Sequence, residues 1–200
     1  QSIPFYFLEY DDYYSREGVY GSKFVGDYPD NILRFSFFNQ AVFPLCQKLD
    51  FQPHILHCHD WQAGLVPVYL NTQYNSQKFF SQTTTLFTIH NLAYQGVFSG
   101  DLFPLLDLDW SFFNYTEMEF YGQVNFLKSG IVFADAFSTV SKQYAKEIQT
   151  KEYGAGLDEL ITQRKKHLTG IMNGIDTEIW NPETDPALSG LNYTYETRSN

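Results

Sequence analysis

The sequence predicts an α/β protein with a Rossmann-like parallel sheet and helices on both faces. Three observations carry that expectation. Short β-prone runs, Ile55-Leu56 and Leu86-Phe87-Thr88-Ile89 among them, alternate with stretches of helical periodicity. Two of these runs end in polar blocks about thirty residues apart: His57-Cys58-His59-Asp60-Trp61-Gln62-Ala63-Gly64 and His90-Asn91-Leu92-Ala93-Tyr94-Gln95-Gly96. Finally, 200 residues with 44% hydrophobic and 18% charged content suffice for a packed core and do not resemble a disordered chain.

The elements follow in order. Ile3 to Glu9 (IPFYFLE) reads as a buried strand, bounded by a polar loop from Tyr10 to Ser15 and by the turn Gly18-Val19-Tyr20-Gly21. Asp30-Asn31 offers an N-cap to an amphipathic helix whose apolar positions Ile32, Phe35, Phe38, Val42, Leu45 and Leu49 recur at three- and four-residue steps. After Pro53, residues 54–58 read as a strand. Trp61 to Leu70 is helix-like, and Pro67 within it requires an early stop or a kink. Thr83 to Ile89 is a β-branched strand. An irregular segment with Gly96, Gly100 and Pro104 leads to a helical pattern from Thr116 to Phe133. Ala136 to Val140 is a strand, and Ser141 caps a helix to about Thr150 with Glu147 and Lys151 spaced for an i,i+4 pair. Asp158 to Lys166 is a short helix, Leu168 to Met172 a strand, and Asn173-Gly174-Ile175-Asp176 follows. The polar tail from Pro182 onward reads as a linker or crossover. The opening Gln1-Ser2-Ile3-Pro4-Phe5 runs almost directly into the first strand, so the chain reads as a fragment of something longer.

The net charge of −10 argues against nucleic acid and against anionic membrane surfaces as partners. A neutral ligand such as a glucan is tolerated, whereas phosphates would need basic groups from elsewhere. No apolar run reaches the roughly 20 residues that span a bilayer. Two cysteines, Cys46 and Cys58, make no disulfide framework and fit a reduced, intracellular setting. Aromatic side chains are dense, with nineteen Phe, fifteen Tyr and three Trp. Most belong in the core, and a few could serve as platforms against sugar rings.

His57, His59 and Asp60, joined by His90, invite a metal reading, since alternation puts 57 and 59 on one side of a strand. No zinc-binding helix motif accompanies them, and the expectation is no metal. Ser141 lacks the flanking glycines of a nucleophile elbow, and neither a Walker sequence nor a dinucleotide fingerprint occurs. What remains is a polar cluster at strand ends: Asp60, His90, Asn91, Gln95 and Asn173. Carboxylate, imidazole and amide together supply the mixed donors and acceptors that sugar hydroxyls need. Asp60 also precedes a helix-like run, so capping is an equal alternative for it.

The blocks HCHDWQAGL, FTIHNLAYQGVF, WSFFN, EFYGQVNFLKSGI, ADAFSTVSKQYAKEI and GIMNGIDTEIWNPETD resemble the bacterial glycogen synthase and plant starch synthase family. The resemblance runs from about Tyr20 to Pro186. It implies a glycosyltransferase of the GT-B type, with two Rossmann-like domains facing across a cleft. Such an enzyme transfers glucose from ADP-glucose to the non-reducing end of an α-1,4-glucan, glycogen or starch, with retention and without a cofactor or metal. The chain would then hold the acceptor-side domain in residues 1–185, lacking its first strand and loop, and the start of a crossover in 186–200. On this resemblance His90, Asp60 and Asn173 stand at the reacting glucose, and Tyr20, Asn91, Tyr94 and Gln95 bind or shape the substrate site. The Ser15-Arg16-Glu17-Gly18 approach to Tyr20 departs from the family's Arg-Pro-Gly pattern. The implied location is cytoplasmic, or plastid in a plant or alga. A sucrose synthase relative and a non-catalytic glucan-binding module are the alternatives, the latter because the family's basic phosphate-binding residues lie outside these 200 residues.

Overall fold

The computed structural model describes residues 2–24 and 26–198. Gln1, Val25, Ser199 and Asn200, which the expected domain limits include, lie outside the described residues. In chain order the principal elements are α1 (Asp11–Tyr14), β1 (Gly21–Ser22), β2 (Gly26–Asp27), α2 (Asn31–Lys48), β3 (Ile55–His59), α3 (Val66–Tyr69), β4 (Thr84–Ile89), β5 (Val97–Ser99), β6 (Glu119–Phe120), β7 (Gln123–Asn125), α4 (Phe126–Phe133), β8 (Ala136–Thr139), α5 (Lys142–Glu147), α6 (Asp158–Gln163) and β9 (Leu168–Gly170).

The centre is a four-stranded parallel sheet of order β3-β4-β8-β9, flanked by helices. Each neighbouring pair is joined through at least one helix, as parallel pairing requires. Register pairs Cys58 with Phe87, and Phe87 with Phe137. These three side chains share one face and are buried. Helix α4 lies against that face, and a Cβ on its Gly130 would come within 2.6 Å of the Phe87 ring, so glycine permits the close approach. The alternate positions Ile55, His57 and His59 face the other way and are exposed. Parallel pairing also brings the carboxyl ends of all four strands to one edge of the sheet, which is what places the site.

Several expectations are corrected. Residues 3–9 form no strand, and Ile3, Phe5 and Phe7 are exposed. An apolar run becomes a strand only when a neighbour takes up its N–H and C=O groups, and none does so among the described residues. The expected loop at 10–15 contains the one-turn helix α1. Asp30 sits at the α2 N-cap, but its carboxylate makes no cap bond and instead takes both terminal nitrogens of Arg16 at 2.8 Å. Pro67 causes no kink, because α3 begins at Val66 and the proline occupies its first turn, where a missing N–H costs nothing.

The helical spacing over 116–125 is misleading. That stretch holds the β6–β7 hairpin, turned by Tyr121 and Gly122 at φ 51° and 77°. Positive φ at both central positions suits the twist of a tight hairpin, and the helix starts only at Phe126. Hairpin and helix are tied by Lys128, whose ammonium donates to the carbonyls of Tyr115 and Glu119. With β5 these strands make a second, antiparallel sheet of order β5-β7-β6. Ser141 caps α5 as expected, accepting from Tyr144 N–H at 2.8 Å. That helix stops at Glu147, which accepts from Gln143, so the expected pairing with Lys151 does not form.

Candidate functional site

β3 ends at His59 and β4 at Ile89, so Asp60 and His90 are the first residues beyond two adjacent parallel strands. Asp60 adopts φ 55°, ψ −174°, a conformation that glycine favours and other residues adopt at a cost of about 1–3 kcal/mol. Three hydrogen bonds hold it there. Its N–H donates to Thr88 O at 2.9 Å, its carbonyl accepts from Ala63 N–H at 3.1 Å, and its carboxylate accepts from the His90 N–H at 2.7 Å. The turn Trp61–Ala63 follows without any cap bond from the Asp60 side chain. Capping is therefore not what the carboxylate does. It clasps the end of the neighbouring strand.

The loop from His90 to Gly96 is built from its own polar residues and from glycine. Asn91 Oδ1 accepts from Ala93 N–H at 3.0 Å, and Leu92 N–H donates to the Tyr144 hydroxyl at 3.1 Å. Gln95 is buried. Its amide donates to Leu92 O at 3.2 Å and Ala155 O at 3.0 Å, while its oxygen accepts from Asn125 Nδ2 at 2.6 Å. Asn125 in turn caps α4 through Lys128 N–H at 2.8 Å. Gly96 is at φ 61°, and a Cβ there would lie 2.3 Å from the Trp61 ring. Gly64 is equally constrained, since a Cβ would lie 2.1 Å from the Phe126 carbonyl oxygen. These contacts lock the two polar blocks together with the start of α4.

The blocks border a cavity of about 470 Å³, whose lining includes Tyr20, Asp60, Trp61, Gln62, Asn91, Tyr94 and Gln95. Tyr20 arrives from the segment before α2. Its carbonyl accepts from Tyr28 N–H and Asn31 Nδ2, both at 2.8 Å, and its hydroxyl accepts from Gln62 Nε2 at 2.6 Å. Its ring centroid lies 5.7 Å from that of Trp61. The structure thus gathers Tyr20, Asp60, Asn91, Tyr94 and Gln95 around one space, with His90 clasped to Asp60 beside it. Asn173 stands apart: it is exposed, beyond the end of β9, and does not line the cavity. Gln62 and Trp61 carry the wall between Tyr20 and the strand ends. The sequence reading singled out neither as a site residue, because their roles depend on the fold bringing residues about forty positions apart into contact.

On the side of the sheet away from Cys58, at its carboxyl edge, three exposed imidazoles form a row. His57 and His59 have ring centroids 4.1 Å apart, and His59 Nδ1 lies 3.0 Å from His90 Nε2. His57 Nε2 meets Thr88 Oγ1 at 2.7 Å, and that hydroxyl meets Ser138 Oγ at 2.7 Å. Partial burial lowers the pKa of His57 and of His59, and the neighbouring imidazoles push in the same direction. Cys58, buried on the opposite face, has its thiol pushed up to about 12 by desolvation. Among the described residues no three His, Cys, Asp or Glu side chains are arranged to hold a metal ion, and no helix is long and apolar enough to cross a membrane.

A parallel sheet whose carboxyl edge carries a cavity lined by aromatic and polar side chains defines an open-sheet α/β protein, a class in which ligands generally bind beyond the strand ends. Comparison with known proteins is specific about which. The starch synthase catalytic domain family matches residues 1–163. Glycogen synthase of Syntrophotalea carbinolica is 47% identical over 94% of the chain, and that of Koribacter versatilis 49% identical over 92%. The catalytic domain of starch synthase IV from Arabidopsis thaliana, solved bound to ADP and acarbose, superposes with a TM-score of 0.71 at 35% identity over 84% of the chain. The chain belongs to the glycogen and starch synthase family. It spans 39% and 37% of the two glycogen synthases and 33% of the starch synthase structure.

Proposed function

We propose that this chain supplies the acceptor-side half of an ADP-glucose-dependent glucan synthase, which extends the non-reducing end of an α-1,4-glucan with retention. On this reading residues 1–185 form that half and 186–200 begin the crossover to the donor-side half. The observation that carries the reading is the Asp60–His90 clasp beside a cavity lined by Tyr20, Trp61 and Tyr94, in a chain of this family. The ADP and acarbose bound by the starch synthase neighbour support a nucleotide-linked donor and a glucan acceptor.

Sugar rings present apolar faces and polar rims, and the cavity offers both aromatic rings and amide or carboxylate partners. His90 would stand beside the transferred glucose, with its imidazole near a sugar hydroxyl. Asp60 keeps one carboxylate oxygen on His90 N–H and leaves the other for the sugar. Asn91 and Tyr94 shape the loop above, and Gln95 acts from beneath by fixing that loop. Asn173 would reach the transferred glucose only after the segment beyond β9 moves toward the cleft. Retention without an enzymic nucleophile fits front-face transfer through an oxocarbenium-like state, in which the protein contributes orientation and electrostatic complementarity. Closure of the donor-side half over the site would exclude water and suppress hydrolysis of the donor.

The experiment is incorporation of labelled glucose from ADP-glucose and from UDP-glucose into a glycogen primer, by the full-length enzyme and by the 200-residue chain. Transfer from ADP-glucose by the full-length enzyme alone is expected. Glucan binding with no transfer by either form would favour the binding-module reading, and transfer from UDP-glucose alone would move the donor assignment.

A further inference from the structure

We infer that His59 is a positioning residue that sets which nitrogen of His90 faces the sugar; the catalytic part of this inference rests on the function proposed above. His59 lies on β3 and His90 just beyond β4, and the two rings meet edge to edge, His59 Nδ1 to His90 Nε2 at 3.0 Å. A neutral imidazole has one N–H and one lone pair, so a hydrogen bond between two imidazole nitrogens forces opposite roles on them. When His59 Nδ1 carries the proton, His90 Nε2 accepts it and the His90 proton must sit on Nδ1. When His90 Nε2 carries the proton, its Nδ1 is left as an acceptor. In both cases the tautomer of His90 is coupled to that of His59, and Nδ1 of His90 is the nitrogen left for a ligand. No proton is gained or lost in this coupling, which is an exchange of donor and acceptor roles.

The surroundings favour a neutral His59. The groups facing His59 are the imidazoles of His57 and His90 and the adjacent Asp60 carboxylate. A second proton would set cation against imidazole on the one side and leave only Asp60 to offset it. His57 is itself anchored, through the Thr88 and Ser138 hydroxyls, so the ring tilted against His59 has a fixed place. The main chain of His90 is held separately by Asp60. Thus two residues, 59 and 60, fix the side chain and the backbone of the same histidine. Orienting a functional imidazole through the nitrogen it does not use is a general device.

The test is a long-range proton–nitrogen correlation spectrum of the histidine-labelled 200-residue protein at neutral pH, which reads the tautomer of each ring directly. Wild type is expected to show one proton shared between the two facing nitrogens, with His59 Nδ1 and His90 Nε2 in opposite roles and a coupling across the hydrogen bond. His59→Phe keeps an aromatic ring but removes the hydrogen bond, and should shift the His90 nitrogen resonances toward those of a free imidazole. His59→Asn places an amide group near the former Nδ1 and should return them toward wild type. Wild-type rings with no coupling between them, or a His59→Phe spectrum in which His90 is unchanged, overturns the inference. In the full-length enzyme His59→Phe should lower kcat on the order of tenfold, the scale at which orienting partners of a functional histidine act, with the donor KM nearly unchanged and His59→Asn recovering most of the loss. Because the spectrum needs no turnover, failure of the proposed reaction would leave the tautomer result standing.

Discussion

The carboxylate of Asp60 accepts the backbone N–H of His90 at 2.7 Å, joining the ends of two parallel strands whose residues are thirty positions apart. The bond is paid for by backbone strain at Asp60, φ 55°. A side chain that only capped a helix would not need that conformation. Replacing Asp60 should separate the two contributions. Asp60→Asn retains an acceptor and should leave stability nearly unchanged. Asp60→Ala keeps the strain and loses the bond, at about 1–3 kcal/mol. Asp60→Gly relieves the strain and should recover about 1 kcal/mol of that loss. Urea denaturation of the three variants measures the order, and Gly less stable than Ala would refute the strain.

His90→Ala in the full-length enzyme should reduce kcat by about two orders of magnitude, the scale expected when a preorganised polar group at the reacting centre is removed. Steady-state glucose incorporation reads it. Turnover near the wild-type rate would remove His90 from the reaction.

Gly96→Ala should destabilise the protein by about 1–3 kcal/mol or more, because it combines a positive φ with a clash against Trp61. Gln95→Leu should cost about as much by leaving the Asn125 amide without its partner. Thermal unfolding checks both, and the acceptor KM should rise in whatever fraction remains folded, since both changes displace the loop at the cavity.

Cys58 should resist alkylation. Burial holds its thiol up to about 12, and Cys46 is raised for the same reason. At pH 8 the thiolate, which is the reactive form, is scarce in both. Native protein should show slow labelling by a thiol reagent, with both cysteines reacting at once in denaturant. Rapid stoichiometric labelling of the native form would contradict the burial.

Asp30 links stability to pH. The Arg16 guanidinium holds its carboxyl below the usual carboxylate range. A group with a depressed folded pKa stabilises the protein above its unfolded value, about 3.9 for Asp, and that contribution is lost as pH falls through the lowered folded value. Arg16→Gln should therefore be less stable than wild type at pH 6, with the gap closing toward pH 2 and shrinking in high salt. A gap independent of pH would dismiss the pair.

The sheet is legible in the sequence because its strands are short runs rich in Ile, Leu, Phe and Thr bounded by polar blocks, a local pattern that parallel pairing preserves. Residues 84–89 and 136–139 were read almost to the residue. Residues 116–125 were not. There the apolar spacing suits a helix, and the Tyr121-Gly122 turn, a weaker local signal, makes a hairpin. Residues 3–9 show the converse: their apolar pattern is strand-like, but pairing depends on a neighbour that composition cannot supply.

By itself the sequence determined the parallel α/β class, the two polar blocks at successive strand ends and the family to which they belong, since each is written in contiguous residues. Only the tertiary structure decided what those residues do to one another. The clasp of Asp60 on His90, the bond from Gln62 to Tyr20, the burial of Gln95 beneath its loop and the separation of Asn173 from the cavity all depend on strand order and register. These are relations between distant segments, and hydrogen bonds of about 3 Å exist only once packing has brought both partners to their places.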